Sequence, residues 1–95
     1  MDISKSDIVV SLAGRDKGQY FIVTDCDELY VYLVDGKGRK LEKPKRKKRK
    51  HVQFVLHNDS RVAEKMKSGD KVLNSELRRE LAVISQKVNS HNQGG

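Results

Sequence analysis

Between residues 8 and 56 the apolar and β-branched residues fall into short runs divided by turn-forming residues, a spacing that admits strands and hairpins but no long helix. Ile8, Val10 and Leu12 alternate with Val9 and Ser11, the period of a half-buried strand. Tyr20-Phe21-Ile22-Val23-Thr24 is aromatic and β-branched, as strands prefer. After the polar turn Asp25-Cys26-Asp27-Glu28, a third run puts Leu29, Val31 and Leu33 on one face and Tyr30 and Tyr32 on the other. Asp35-Gly36 marks a tight turn, and Gly38 adds a second flexible position. Arg39-Lys40-Leu41-Glu42 then reads as a short returning strand, and Val52, Phe54 and Leu56 alternate in a fifth. The expectation is a mainly β fold, a small five-stranded antiparallel barrel.

From Asp59 the apolar period changes from two to about 3.6. Asp59 or Ser60 can cap a helix carrying Val62, Ala63 and Met66, with Gly69 placed to end it. A second helix, capped by Asn74 or Ser75, carries Leu73, Leu77, Leu81, Ile84 and Val88 as one apolar stripe. A barrel of about fifty residues buries too little surface to leave such a stripe uncovered, so the stripe is expected to cover the barrel; the alternative is a docking face for another protein. The chain thus divides into a barrel over 1–58, a C-terminal helical extension packed on it over 59–90, and a tail over 91–95 expected to be disordered.

Ninety-five residues allow one domain, and 36% hydrophobic with 5% aromatic residues gives a small aliphatic core, which argues against a deep catalytic cleft. Charge is more informative once it is located. Residues 37–51 hold ten Lys and Arg against the single acid Glu42, a net of +9 in a chain whose total is +7, so the remainder sums to −2. The basic character is a patch, and a patch implies a polyanionic partner. No apolar run is long enough to cross a membrane, and Met1-Asp2-Ile3-Ser4-Lys5 has no signal-peptide core, from which a cytoplasmic protein is expected. Cys26 stands alone between two aspartates, a poor setting for a nucleophile. His51, His57 and His91 lack partners at metal-ligand spacing, and no Ser/His/Asp, paired-carboxylate or Walker-type grouping is present. Neither an enzyme, nor a metal site, nor a cofactor is expected.

The segment Val9-Val10-Ser11-Leu12-Ala13-Gly14-Arg15-Asp16-Lys17-Gly18, followed by Ile22-Val23, resembles the KOW motif, a strand, a Gly-containing basic loop and a strand. Downstream, Val34-Asp35-Gly36, a basic stretch and Lys50-His51-Val52-Gln53 look like the archaeal and eukaryotic large-subunit ribosomal protein numbered fourteen. They look still more like the small bacterial KOW-domain RNA-binding proteins, which end in a similar helical segment. The resemblance implies an SH3-like barrel that binds structured RNA, chiefly ribosomal RNA. It also implies neighbouring ribosomal proteins as possible partners, a monomer when free, and RNA contact by Arg15, Lys17 and the segment 39–51.

The residues support that expectation on their own. Gly14 and Gly18 permit positive φ and leave room for a phosphate to approach the loop amides, while Arg15 and Lys17 supply charge; Asp16 reads as a turn residue capping its own backbone. Lys37, Arg39 and Lys40 precede the run Lys45, Arg46, Lys47, Lys48, Arg49 and Lys50, and His51 ends it as a phosphate or ribose contact. In an extended run Lys45, Lys47 and Arg49 point one way and Arg46, Lys48 and Lys50 the other, so a nucleic-acid backbone could be gripped from both faces. A solvated charge block or a nuclear-import signal are the alternatives for this run. Tyr30 and Tyr32 are candidates for base stacking. Arg78 and Arg79, flanked by Glu76 and Glu80, read as a solvated helix face. The second function that fits the sequence is a protein-interaction module of the transcription or translation machinery.

Overall fold

A computed structural model describes residues 2–93, with side chains described as far as Val88. The elements run β1 (Ile8–Ser11), β2 (Tyr20–Cys26), β3 (Tyr30–Val34), β4 (Lys45–Lys48), a 3-10 turn (Arg49–His51), β5 (Val52–Leu56), α1 (Arg61–Ser68) and α2 (Asn74–Gln93). The strands form one antiparallel sheet in the order β4-β3-β2-β1-β5.

β4 and β5 lie at opposite edges of the sheet, yet three residues join them. So short a connection requires the sheet to roll until its two edges approach at that corner, where the Leu12 amide donates to the His51 carbonyl at 2.8 Å. The expected barrel is nonetheless open. After the 3-10 turn the chain pairs with β1 instead of folding back on β4, and among the described residues no ladder joins β4 to β5.

A second correction concerns the fourth strand. Residues 39–42 form turns, because their backbone groups are satisfied locally and by α2. The Asp35 carboxylate accepts from the Lys37 and Arg39 amides, the Arg39 carbonyl accepts from the Asp35 and Gly36 amides, and the Leu41 amide donates to Asn74 Oδ1. The strand that pairs with β3 is the basic run itself, with Val31 opposite Lys47 and Tyr32 opposite Arg46.

The expected one-sided alternation also gives way, since both faces of the central strands are covered. Ile8, Ile22 and Val34 meet Val62, Met66, Leu77, Leu81 and Ile84 of the two helices. Their sequence neighbours Val9, Phe21, Val23 and Leu33 join Ile3, Val31 and Val52 in a second cluster that holds no helix residue, so the rolled sheet itself encloses it. Leu12, Leu29 and Leu73, each assigned to a core face by alternation or by the helical stripe, are exposed.

α1 begins at Ser60, whose hydroxyl accepts from the Ala63 amide, and ends at Gly69 in the left-handed region. α2 starts differently from the expected Asn or Ser cap. The Leu77 amide donates to the Leu73 carbonyl, and Glu76 reaches back to accept from the Leu73 amide at 3.0 Å, half of a capping box. Asn74 is thereby free to reach the β3–β4 loop, and its side chain also donates to Glu42. α2 continues through Gln93, so the tail expected from residue 91 has helical backbone over 91–93, while Gly94 and Gly95 lie outside the described residues. Among the described residues no helix is long and apolar enough to cross a membrane.

Candidate nucleic-acid interface

The loop between β1 and β2 is built around its two glycines, at φ +86° for Gly14 and +89° for Gly18. Lys17 N donates to Gly14 O, Gly18 N to Ser11 O and Gln19 N to Asp16 O. Those amides are thus engaged within the loop, so recognition of an anion there falls to side chains more than to the backbone. Arg15 and Lys17 are both exposed.

Asp16 points the other way. It is buried, and its carboxylate accepts from Ser11 Oγ at 2.6 Å, Lys47 Nζ at 2.6 Å and Lys45 Nζ at 2.8 Å. Lys47 also donates to the Ala13 carbonyl at 2.7 Å. Burial opposes ionisation of Asp16, but the hydrogen bonds from Lys45, Lys47 and Ser11 and the charge of Lys47 outweigh it and hold the carboxyl far below the usual carboxylate range. Asp16 therefore ties the loop to β4 in place of capping its own turn.

This arrangement divides the basic run. Lys47 is only 8% exposed, and Lys45 is half-buried beside it. Arg49 is a tether, its Nε donating to the Asp27 carbonyl at 2.6 Å and its Nη2 to the Ile3 carbonyl at 3.0 Å. Arg46 lies over the Tyr30 ring, 4.5 Å from its centroid. Lys48 and Lys50 are exposed, and His51 is half-buried. The grip expected from both faces of the strand is thus reduced to one, because the face carrying Lys45 and Lys47 is turned onto Asp16.

The β3–β4 loop brings further exposed cations, Lys37, Arg39, Lys40 and Lys43. Gly36, at φ +77°, lies where a Cβ would collide with the Asn74 carbonyl oxygen, so only glycine lets the start of α2 sit against this turn. Arg78 Nη1 donates to the Gly36 carbonyl at 2.6 Å, a second clamp from the same helix. Two adjoining grooves result. Arg15, Asp16, Gln19, Asp35, Arg39 and Lys45 line one; Gln19, Asp35, Lys37, Arg78 and Ser85 line the other. Gln19 and Asp35 belong to both, so the glycine loop, the β3–β4 loop and α2 share one cationic surface. Sequence reasoning missed Arg78, whose role depends on the turn at Gly36, 42 positions earlier.

Lys48, Arg49 and Lys50 line a different opening, with Glu28, Leu29 and Tyr30. Cys26 is half-buried, with its thiol against the Ile3 carbonyl at 3.4 Å. No protein-family model and no curated protein sequence matches the chain.

Proposed function

We propose that this chain is a non-catalytic, cytoplasmic RNA-binding protein of the KOW type, its rolled five-stranded sheet an open, SH3-like one. It docks on structured RNA, ribosomal RNA foremost, by phosphate contacts, beside ribosomal proteins in the translation machinery and as a monomer when free. The observation that carries this reading is the gathering of Arg15, Lys37 and Arg39 of two loops, Lys45 of β4 and Arg78 of α2 around two adjoining grooves, with the loops held in place by Asp16, Asn74 and Gly36. Asp16 and Asp35 offset only part of this charge, and a phosphate backbone following the grooves supplies a row of anions for the rest.

Salt dependence tests the reading. With Lys45 and Lys47 partly occupied by Asp16, about five phosphates remain for the exposed cations, and log K should fall against log salt with a slope of about −4 on a duplex-like RNA. Titration of ribosomal RNA fragments from low to physiological salt measures it. A slope near zero would favour a protein-interaction module instead, because a mixed protein interface releases few counterions.

A further inference from the structure

The cleft at the other end of β4 from the two grooves has a different chemistry. Leu29, Tyr30, Lys48 and Lys50 line it with Glu28 and Arg49, around a space of about 400 Å³ that lies in the range of small-ligand clefts. Leu29 is 69% exposed, the most exposed large apolar side chain among the described residues. Its turn is firmly built. Asp27 Oδ1 accepts from the Leu29 and Tyr30 amides at 2.9 and 2.8 Å, Asp27 N donates to Tyr30 O, and Arg49 N donates to Leu29 O at 2.9 Å. An apolar side chain held out to solvent on a turn this well satisfied loses little freedom when something covers it. Tyr30 is fixed too, by the Arg46 guanidinium over its ring, and Arg46 does not line the cleft.

The geometry points to this cleft as a subsite for one unpaired RNA nucleotide, its base lying on Leu29 and Tyr30 and its phosphate meeting Lys48 and Lys50. This rests on the RNA reading above. The two lysines select a polyanion over a neutral or basic partner. Glu28 disfavours a phosphate inside the cleft and can accept a hydrogen bond from an amino group on a base edge. A base within a duplex is paired and stacked on its neighbours and cannot enter. Lys45 of the grooves and Lys48 of the cleft lie three residues apart on β4, about 10 Å, close enough for one RNA to meet both sites. The ligand class is therefore a helical RNA with a flanking unpaired stretch.

The test compares three RNAs at one salt concentration: a blunt duplex, the same duplex with a single-stranded extension of about six nucleotides, and that extension made abasic, which keeps the phosphates and removes the bases. Wild-type protein should bind the base-bearing extension about tenfold more tightly than the abasic one, in keeping with a single base–side-chain stack. Leu29→Ser, at an exposed position, should reduce that difference to about threefold, since Tyr30 remains to stack, and leave affinity for the abasic and blunt RNAs unchanged, with an unaltered circular dichroism spectrum. Equal wild-type affinity for the two extensions, or a preference undiminished by Leu29→Ser, overturns the subsite while RNA binding stands. Failure to bind any of the three at low salt overturns the RNA reading and the subsite with it.

Discussion

The Lys47 ammonium and the Asp16 carboxylate, 31 positions apart in the chain, meet at 2.6 Å beneath the glycine loop. Removing the cation leaves a buried carboxylate with Lys45 and Ser11 only. Lys47→Gln should cost about 3 kcal/mol of stability, whereas Lys48→Gln, one residue along and exposed, should stay within about 0.5 kcal/mol. Chemical denaturation of the two variants, equal in charge change, separates a structural lysine from a binding one. Similar stability for both would show that the Asp16 contact contributes nothing to folding.

Acid should expose the same contact. The folded-state pKa of Asp16 lies well below its ordinary value of 3.8, so the unfolded chain takes up a proton at a pH where the folded protein does not. Its contribution is complete above that ordinary value and is lost progressively as pH falls below about 4. Asp27, held low by the amides of Tyr30 and Leu29, and Glu76, held low by Lys65, act in the same window. Melting temperature followed from pH 7 to pH 2 should show Asp16→Asn less stable than wild type at pH 7, with the gap narrowing as the solution becomes more acidic. A gap that stays constant with pH contradicts the assignment.

Gly36 and Gly18 have similar backbone angles but different surroundings. Alanine at Gly18 meets no atom within 4 Å and should cost only the left-handed conformational penalty, about 1–2 kcal/mol. At Gly36 the added carbon would collide with the Asn74 backbone, so Gly36→Ala should lose clearly more and loosen the start of α2. Thermal melts rank the two, and equal losses would mean that the helix does not bear on the turn.

Arg39 and Lys43 both lie on the β3–β4 loop and are both exposed, but of the two Arg39 alone lines either of the grooves described above. Arg39→Gln should weaken RNA binding and make the salt slope shallower by about one, while Lys43→Gln should change affinity much less. Equal effects would point to diffuse attraction by the patch as a whole.

Much of this was legible in the residues. The glycine-bracketed loop, four of the five strands, the Ser60 and Gly69 ends of α1 and the burial of Leu77, Leu81 and Ile84 follow from local period and turn chemistry. β4 was not, because Lys-Arg-Lys-Lys has no apolar period and little strand preference; it becomes a strand by pairing with β3 and by burying one lysine on an aspartate from another loop. Asn74 was misjudged for a related reason. Its side chain suits a helix cap, yet Glu76 holds the Leu73 amide and releases Asn74 to the loop. Both errors arise where a partner distant in sequence overrides a local preference.

β4 is the outermost strand on its side of the sheet, so one row of its backbone groups has no neighbouring strand. Such an edge is a template on which a second molecule can continue the sheet, and closely spaced lysines and arginines are among the means by which proteins prevent that. The residues proposed to meet a polyanion are therefore also suited to keeping free copies apart. Charge-neutralising substitutions in Lys45–Lys48 would remove that protection together with the proposed RNA contacts, and the protein would be expected to grow edge to edge into aggregates.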